Sequence, residues 1–235
     1  PPYFDTVFVP LMTPALFLMG VGPMARWRQA SVPDLAYRLR WAFGVSIASA
    51  VVAFFALGKW TPMIGLGLAL AAWITSTAVL HLVTRLRENR SASWLRRFVA
   101  QPGGFYGMLL AHFGVAVFIV GVTVVSGFQS ENDVRMEVGD TASVAGYQMR
   151  LIKIEDVRGP NYESSRATID VSRDGKTIAT LTPDRRVYNV SRSPMTEVAI
   201  DRGLLRDVYV GLGDPVSATA WSVRVHHKPL VNLIW

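Results

Sequence analysis

The sequence predicts an α-helical integral membrane protein with a small antiparallel β-rich extracytoplasmic domain. Three observations predict it. Four long windows contain no Asp, Glu, Lys or Arg. The arginines between those windows gather in two short segments, after the first and after the third. Beyond Phe128 the apolar period changes from helical to two.

The uncharged windows are Thr6 to Ala25, Trp41 to Gly58, Trp60 to Thr84 and Phe98 to Ser130. A helix needs about 20 largely apolar residues to cross the hydrocarbon core. The second window has only 18, but Arg40 and Lys59 at its ends can reach the interfaces with their charged tips. The expected spans are therefore about 6–25, 41–58, 61–84 and 105–126, with a start of a truncated final span at 229–235. Pro10 and Pro14 predict a kinked or irregular first span. The second and third spans form a hairpin through Gly58-Lys59-Trp60-Thr61, with Trp60 at the interface. Leu86, Trp94, Leu95 and Phe98, interleaved with arginines, predict an amphipathic surface helix over 85–97.

The net charge of +7 raises the question of a nucleic-acid partner, and the charge map answers it. Arg26, Arg28, Arg38 and Arg40 stand against Asp34, and Arg85, Arg87, Arg90, Arg96 and Arg97 against Glu88. Those nine cations and two anions account for the whole net charge of +7. Short basic loops on one side of successive spans are the positive-inside pattern, so the partner is the lipid bilayer and no nucleic acid is expected. Both loops are then cytoplasmic, and the chain from Phe128 onward lies outside. The chain begins at Pro1 without an initiator Met and without a signal-peptide pattern, and so reads as a fragment or processed piece.

The external domain is expected over 128–228, after a helical region over 1–127. Tyr147, Met149 and Leu151 alternate with Gln148 and Arg150; Ala167, Ile169 and Val171 alternate with Thr168, Asp170 and Ser172. Asp174-Gly175 predicts a hairpin turn, and Trp221, Val223 and Val225 a late strand. No Cys is present, so the domain has no disulfide and the chain is no thiol–disulfide exchanger.

His112 is the candidate functional residue. It stands eight residues past Gly104, about 12 Å along a helix, inside the hydrocarbon region. Gly107, Ala111, Gly114 and Gly121 form a small-residue stripe suited to helix packing. His112 lies roughly 100–140° around from it, with Phe105, Met108, Val115 and Ile119. An imidazole there meets protein, water or a cofactor. Two chemistries suit it: a neutral ring hydrogen-bonded to a neighbouring helix, or an axial ligand to haem iron. His81 is the other membrane histidine and reads as an interfacial or packing residue. His226 and His227 are adjacent on a strand, so they point to opposite faces and form no chelating pair. Glu197, Asp201, Arg206 and Asp207 form a dense charged cluster that reads as a solvated face or structural ion pairs.

Several stretches together resemble a family. These are Pro1 to Phe8, Gly20-Val21-Gly22-Pro23 with Arg26-Trp27-Arg28, Gly107-Met108 through Val117 with Gly121-Val122, and Gly159-Pro160-Asn161-Tyr162. Met195 to Asp201, Arg206 to Gly213, and Trp221 through Pro229 to Trp235 extend the likeness to the end. The chain resembles the C-terminal part of CcmF, the large haem-lyase subunit of the bacterial system I cytochrome c maturation apparatus. The resemblance implies a protein of the inner membrane with the β-rich domain in the periplasm. It implies partners too: a haem-carrying periplasmic chaperone, apocytochrome c, other cytochrome c maturation subunits, and the N-terminal part of the same protein. It further implies a membrane haem b held by two His, with His112 at the position of one axial ligand to the iron. The other ligand, and the tryptophan-rich segment and His pair that hold incoming haem, belong to the N-terminal part. No tryptophan-rich motif occurs here, and no His precedes position 81. No catalytic residue is therefore expected within this chain. In the family the buried haem would help reduce the incoming haem iron from a quinol pool.

Two other functions compete with a haem-handling role. One is a non-catalytic membrane anchor that displays a periplasmic protein-binding domain. The other is a transporter, which predicts an internal repeat or paired discontinuous helices, and neither is found.

Overall fold

A computed structural model describes residues 3–25, 31–88 and 93–235. Pro1, Pro2, Arg26, Trp27, Arg28 and Arg90 lie outside the described residues, and with them part of the arginine pattern. The chain divides into two compact units, 1–127 with 233–235, and 128–232.

The first unit is helical. A π-helical turn over Phe4–Phe8 leads into α1 (Val9–Val21) and a 3-10 turn over Gly22–Met24. Then follow α2 (Val32–Ala56), α3 (Pro62–Glu88), the short α4 (Trp94–Val99) and α5 (Gly103–Phe128). Among the described residues four stretches are long and apolar enough to cross a membrane: Thr6–Met24, Val32–Ala56, Pro62–Arg87 and Gly103–Phe128.

The irregular start of α1 follows from its prolines, each of which removes a backbone donor. Helix α2 begins nine residues before its uncharged window, because Ser31 caps it and accepts from the Asp34 amide at 3.3 Å. Arg38 and Arg40 thus lie within the helix, Arg38 paired to Asp34 at 3.0 Å and Arg40 stacked 3.6 Å from the Tyr37 ring centre. Gly58, at φ +61°, ends the α2 side of the hairpin in a conformation that disfavours a Cβ. Thr61 caps α3 by accepting from the Ile64 amide. The single amphipathic helix expected over 85–97 is not what forms. Arg85, Leu86 and Arg87 complete α3, whereas Trp94 to Val99 form a separate turn and a half capped by Ser93.

Serine hydroxyls join α2 to α3, with Ser46 donating to the Ala69 carbonyl at 2.6 Å. Trp73 ties α1 to α3: its indole N–H donates to the Phe17 carbonyl at 2.9 Å and its ring stacks on Phe17 at 4.9 Å. A Cβ on Gly20 would lie 2.4 Å from the Trp73 Nε1, so only glycine lets the helices meet there.

The second unit is all β. Its strands are β1 (Ser130–Glu137), β2 (Thr141–Val144), β3 (Tyr147–Arg158), β4 (Tyr162–Arg173) and β5 (Lys176–Leu181), then β6 (Asp184–Tyr188), β7 (Pro194–Glu197), β8 (Ala199–Arg202), β9 (Arg206–Pro215) and β10 (Ala220–Pro229). One sheet has the order β1-β10-β9-β8, the other β2-β3-β4-β6-β7 with β5 also on β4. Every pairing is antiparallel. Alternation sends Met149, Leu151, Ala167, Ile169 and Val171 from one sheet, and Val208, Val210, Leu212, Val223 and Val225 from the other, into one buried cluster. Asp174 and Gly175 both take positive φ, as a two-residue turn between twisted strands requires. The last residues make only a 3-10 turn, Val231–Leu233.

Candidate functional site

His112 sits on the inward side of α5, with Val115, Ala116 and Ile119 buried or half-buried near it, while Gly107, Ala111 and Gly114 are exposed. The expected packing stripe is therefore bare along most of its length. Only Gly121 is in close contact, where a Cβ would lie 2.9 Å from Leu233.

The imidazole lies between two backbone carbonyls. Nδ1 is 2.8 Å from the Met108 oxygen, one turn back in α5, and Nε2 is 3.2 Å from the Met19 oxygen in α1. Local sequence explains the second contact. The helical donor for Met19 would be the amide four residues on, and that residue is Pro23, which has no N–H. The carbonyl is left without its usual partner, and the histidine covers it.

A neutral imidazole has one N–H and two nitrogens, so it donates to only one of the two carbonyls. With the proton on Nδ1, Met108 accepts and Nε2 turns a lone pair toward the Met19 oxygen. With the proton on Nε2, Met19 is satisfied and the shorter contact becomes unfavourable. A doubly protonated ring satisfies both, at the cost of a charge in an apolar setting. The first arrangement fits a metal ligand, because a Nδ1–H bond to a carbonyl fixes the tautomer and leaves Nε2 free to bind. A metal held at Nε2 would take the place of the Met19 carbonyl, which lies 3.2 Å from that nitrogen.

The other histidines are separate. His81 packs on Phe105, ring centres 5.3 Å apart. An open, largely apolar groove of about 900 Å³ runs among α2, α3 and α5 past Trp41, Ser76 and Phe113, and His112 does not line it. Among the described residues no group of three or more His, Asp or Glu is placed to hold a metal ion.

In the β unit, neighbouring His226 and His227 face differently, as strand alternation requires. His226 Nε2 lies 3.5 Å from Glu131, and burial holds its imidazole below the usual value against the pull of that carboxylate. His227 stacks on Tyr147 at 5.6 Å, and its Nδ1 is buried without a hydrogen-bond partner. Burial lowers its proton affinity, and the Arg206 and Arg173 charges lower it further. Both guanidiniums donate to the Tyr147 hydroxyl, at 2.9 Å from Arg173 and 3.0 Å from Arg206.

The charged cluster resolves into structural pairs. Arg206 binds Asp201 at 2.5 Å, and Arg186 reaches Glu197 at 3.6 Å. Asp207 is buried, accepting from the Gly203 amide at 3.3 Å and the Asn232 side-chain amide at 3.2 Å. The most enclosed pair is Asp184 with Arg166, a bidentate contact at 2.6 and 2.9 Å, with Arg186 adding 3.1 Å. Arg166 holds the Asp184 carboxyl below the usual carboxylate range. Gly159 is required by Tyr162, whose ring lies where a Cβ would stand, 2.4 Å from Cζ.

Residues 127–229 match the family described as CcmF C-terminal beta-sandwich. The chain matches the C-terminal part of CcmF. It is 38% identical over its whole length to the cytochrome c-type biogenesis protein CcmF of Pseudomonas fluorescens, and 36% identical to that of Escherichia coli. It covers 35% of each of those proteins, so it spans about a third of the CcmF relatives it matches. A solved structure, Cytochrome c Heme Lyase CcmF, superposes with a TM-score of 0.76 at 20% identity, covering all of this chain and 38% of that one. The helices and sandwich thus share the CcmF fold. With its four candidate spans, the CcmF match supports a multi-pass membrane protein.

Several features of the site escape the periodicity of the sequence. Trp73, Gly20 and the Met19 carbonyl fix the α1 face toward His112, and only Pro23, four residues after Met19, signals the last of them.

Proposed function

We propose that this chain is the C-terminal, membrane-embedded part of a haem lyase that assists covalent attachment of haem to apocytochrome c. In this reading it contributes His112 as one axial ligand of a b-type haem. The second ligand comes from the N-terminal part of the same protein. The chain sits in the bacterial inner membrane with its sandwich in the periplasm, facing a haem-carrying chaperone, apocytochrome c and other maturation subunits.

The observation that carries the reading is the Nδ1 contact of His112 with the Met108 carbonyl, inside a span of a CcmF-like chain. It gives α5 a histidine whose Nε2 is aimed at α1. A haem held there would supply single-electron transfer. The protein's own part is to orient the ring through Met108, to exclude water with Val115 and Ile119, and to release the Met19 carbonyl when the ligand position is taken. The absence of Cys agrees with a role in which the reacting thiols belong to the apocytochrome. A non-catalytic anchor that displays the sandwich is the competing reading.

The visible spectrum of the purified complete protein separates the two. A low-spin b-type signal is expected, and it is lost in His112→Ala or His112→Gly. A spectrum unchanged by both substitutions would refute the ligand assignment and leave the anchor.

A further inference from the structure

The β8–β9 turn, Gly203-Leu204-Leu205, carries two bare leucines, Leu204 91% exposed and Leu205 70% exposed. Two adjacent leucines this open on one turn tip present an apolar pair that can be buried against another apolar phase.

Strand register tells which end of the sandwich bears them. Ser130, at the start of β1, pairs with His227 near the end of β10, and Pro229 pairs with Arg206 at the start of β9. The β8–β9 turn therefore stands at the end where Phe128, the last residue of α5, delivers the chain. The turn is also held in place. The Leu230 amide, at φ +53°, donates to the Leu205 carbonyl at 2.7 Å. Asn232 donates to the Gly203 carbonyl and to buried Asp207. Arg202 stands just before the turn and Lys228 on β10 opposite buried Asp207, while Arg206, just after the turn, is paired with Asp201. A pair of exposed apolar side chains with Arg202 beside it in sequence and Lys228 near the end of the adjoining strand suits the boundary between lipid headgroups and acyl chains.

We propose that the Leu204–Leu205 turn is a membrane-dipping element, seated in the headgroup–acyl boundary of the leaflet from which α5 emerges. It adds a contact with lipid at the end of the sandwich where the chain enters and leaves. The sandwich supplies its own control. Val216, 56% exposed, sits on the β9–β10 turn at the other end of the same sheet. Ten residues of β9 put about 30 Å between the two turns.

These residues hold no Cys, so once any cysteines elsewhere in the complete protein are replaced by Ser, single cysteines at Leu204, Leu205 and Val216 give selective nitroxide labels. The probe is the complete protein in vesicles of phosphatidylcholine and phosphatidylglycerol, with the unsubstituted protein as the labelling blank. Collision with dissolved oxygen is expected to exceed collision with a water-soluble nickel chelate at 204 and 205. The ratio should exceed that at 216 several-fold. Equal ratios at all three sites would overturn the proposal. Exclusion of both reagents at 204 and 205 would overturn it as well, because it would mean that protein covers the turn.

Discussion

His112 Nε2 lies 3.2 Å from the carbonyl of Met19, an oxygen that Pro23 leaves without its helical donor. The contact joins α1 to α5 across 93 residues of sequence. In haem-free protein the Met19 oxygen competes for the ring proton, so Pro23→Ala, by giving Met19 a backbone N–H, is expected to raise the fraction of His112 that carries its proton on Nδ1. Nitrogen chemical shifts of ¹⁵N-histidine in the reconstituted protein would check it. A proton that stays where it is would show that Pro23 plays no part in the tautomer.

The two strand histidines predict an acid-sensitive sandwich. Each has a folded-state proton affinity below the unfolded value near 6.5. The unfolded chain therefore takes up protons first as pH falls. Stability should be level above about pH 6.5 and decline below it, down to the depressed native values. His227→Phe keeps the ring on Tyr147 and should remove part of that decline, the rest belonging to His226. Urea unfolding of the sandwich transition between pH 8 and 5 measures both.

Asp184→Asn should destabilise the sandwich by about 2–4 kcal/mol, because Arg166 and Arg186 then face each other without their common anion. Acid should mimic the substitution. The carboxyl is held below 3.8, so its contribution is present above that value and is lost as pH falls through the lower native one. Thermal melts of wild type and variant should converge only in strong acid.

Gly20 and Trp73 should behave as one unit. Gly20→Ala places a methyl against the indole and should cost about 1–3 kcal/mol. Trp73→Phe loses the bond to Phe17, worth about 1 kcal/mol, but opens space. The double variant should be less destabilised than the sum of the two, measured by thermal unfolding in detergent.

The sandwich was largely legible because strand period two converts directly into burial. Met149, Leu151, Ile169, Val171, Val223 and Val225 are all fully enclosed. The helix ends were less so. Absence of charge marks what lipid tolerates, whereas a helix starts where its amides are capped, and Ser31 with Asp34 set that point for α2. The small-residue stripe is legible as a surface suited to packing but not as a contact: Gly107 and Gly114 permit close approach without specifying a partner. The surroundings of His112 were illegible to periodicity, since its partner is a backbone oxygen distant in sequence.

Because β1 opens the sandwich and β10 closes it, the domain's two ends leave from neighbouring strands paired at Ser130 and His227. Tension that drew those ends apart would load the β1–β10 ladder like a zipper, breaking one rung at a time from that pair onward. Such a geometry yields at low force, whereas strands pulled lengthwise past each other must lose many rungs together.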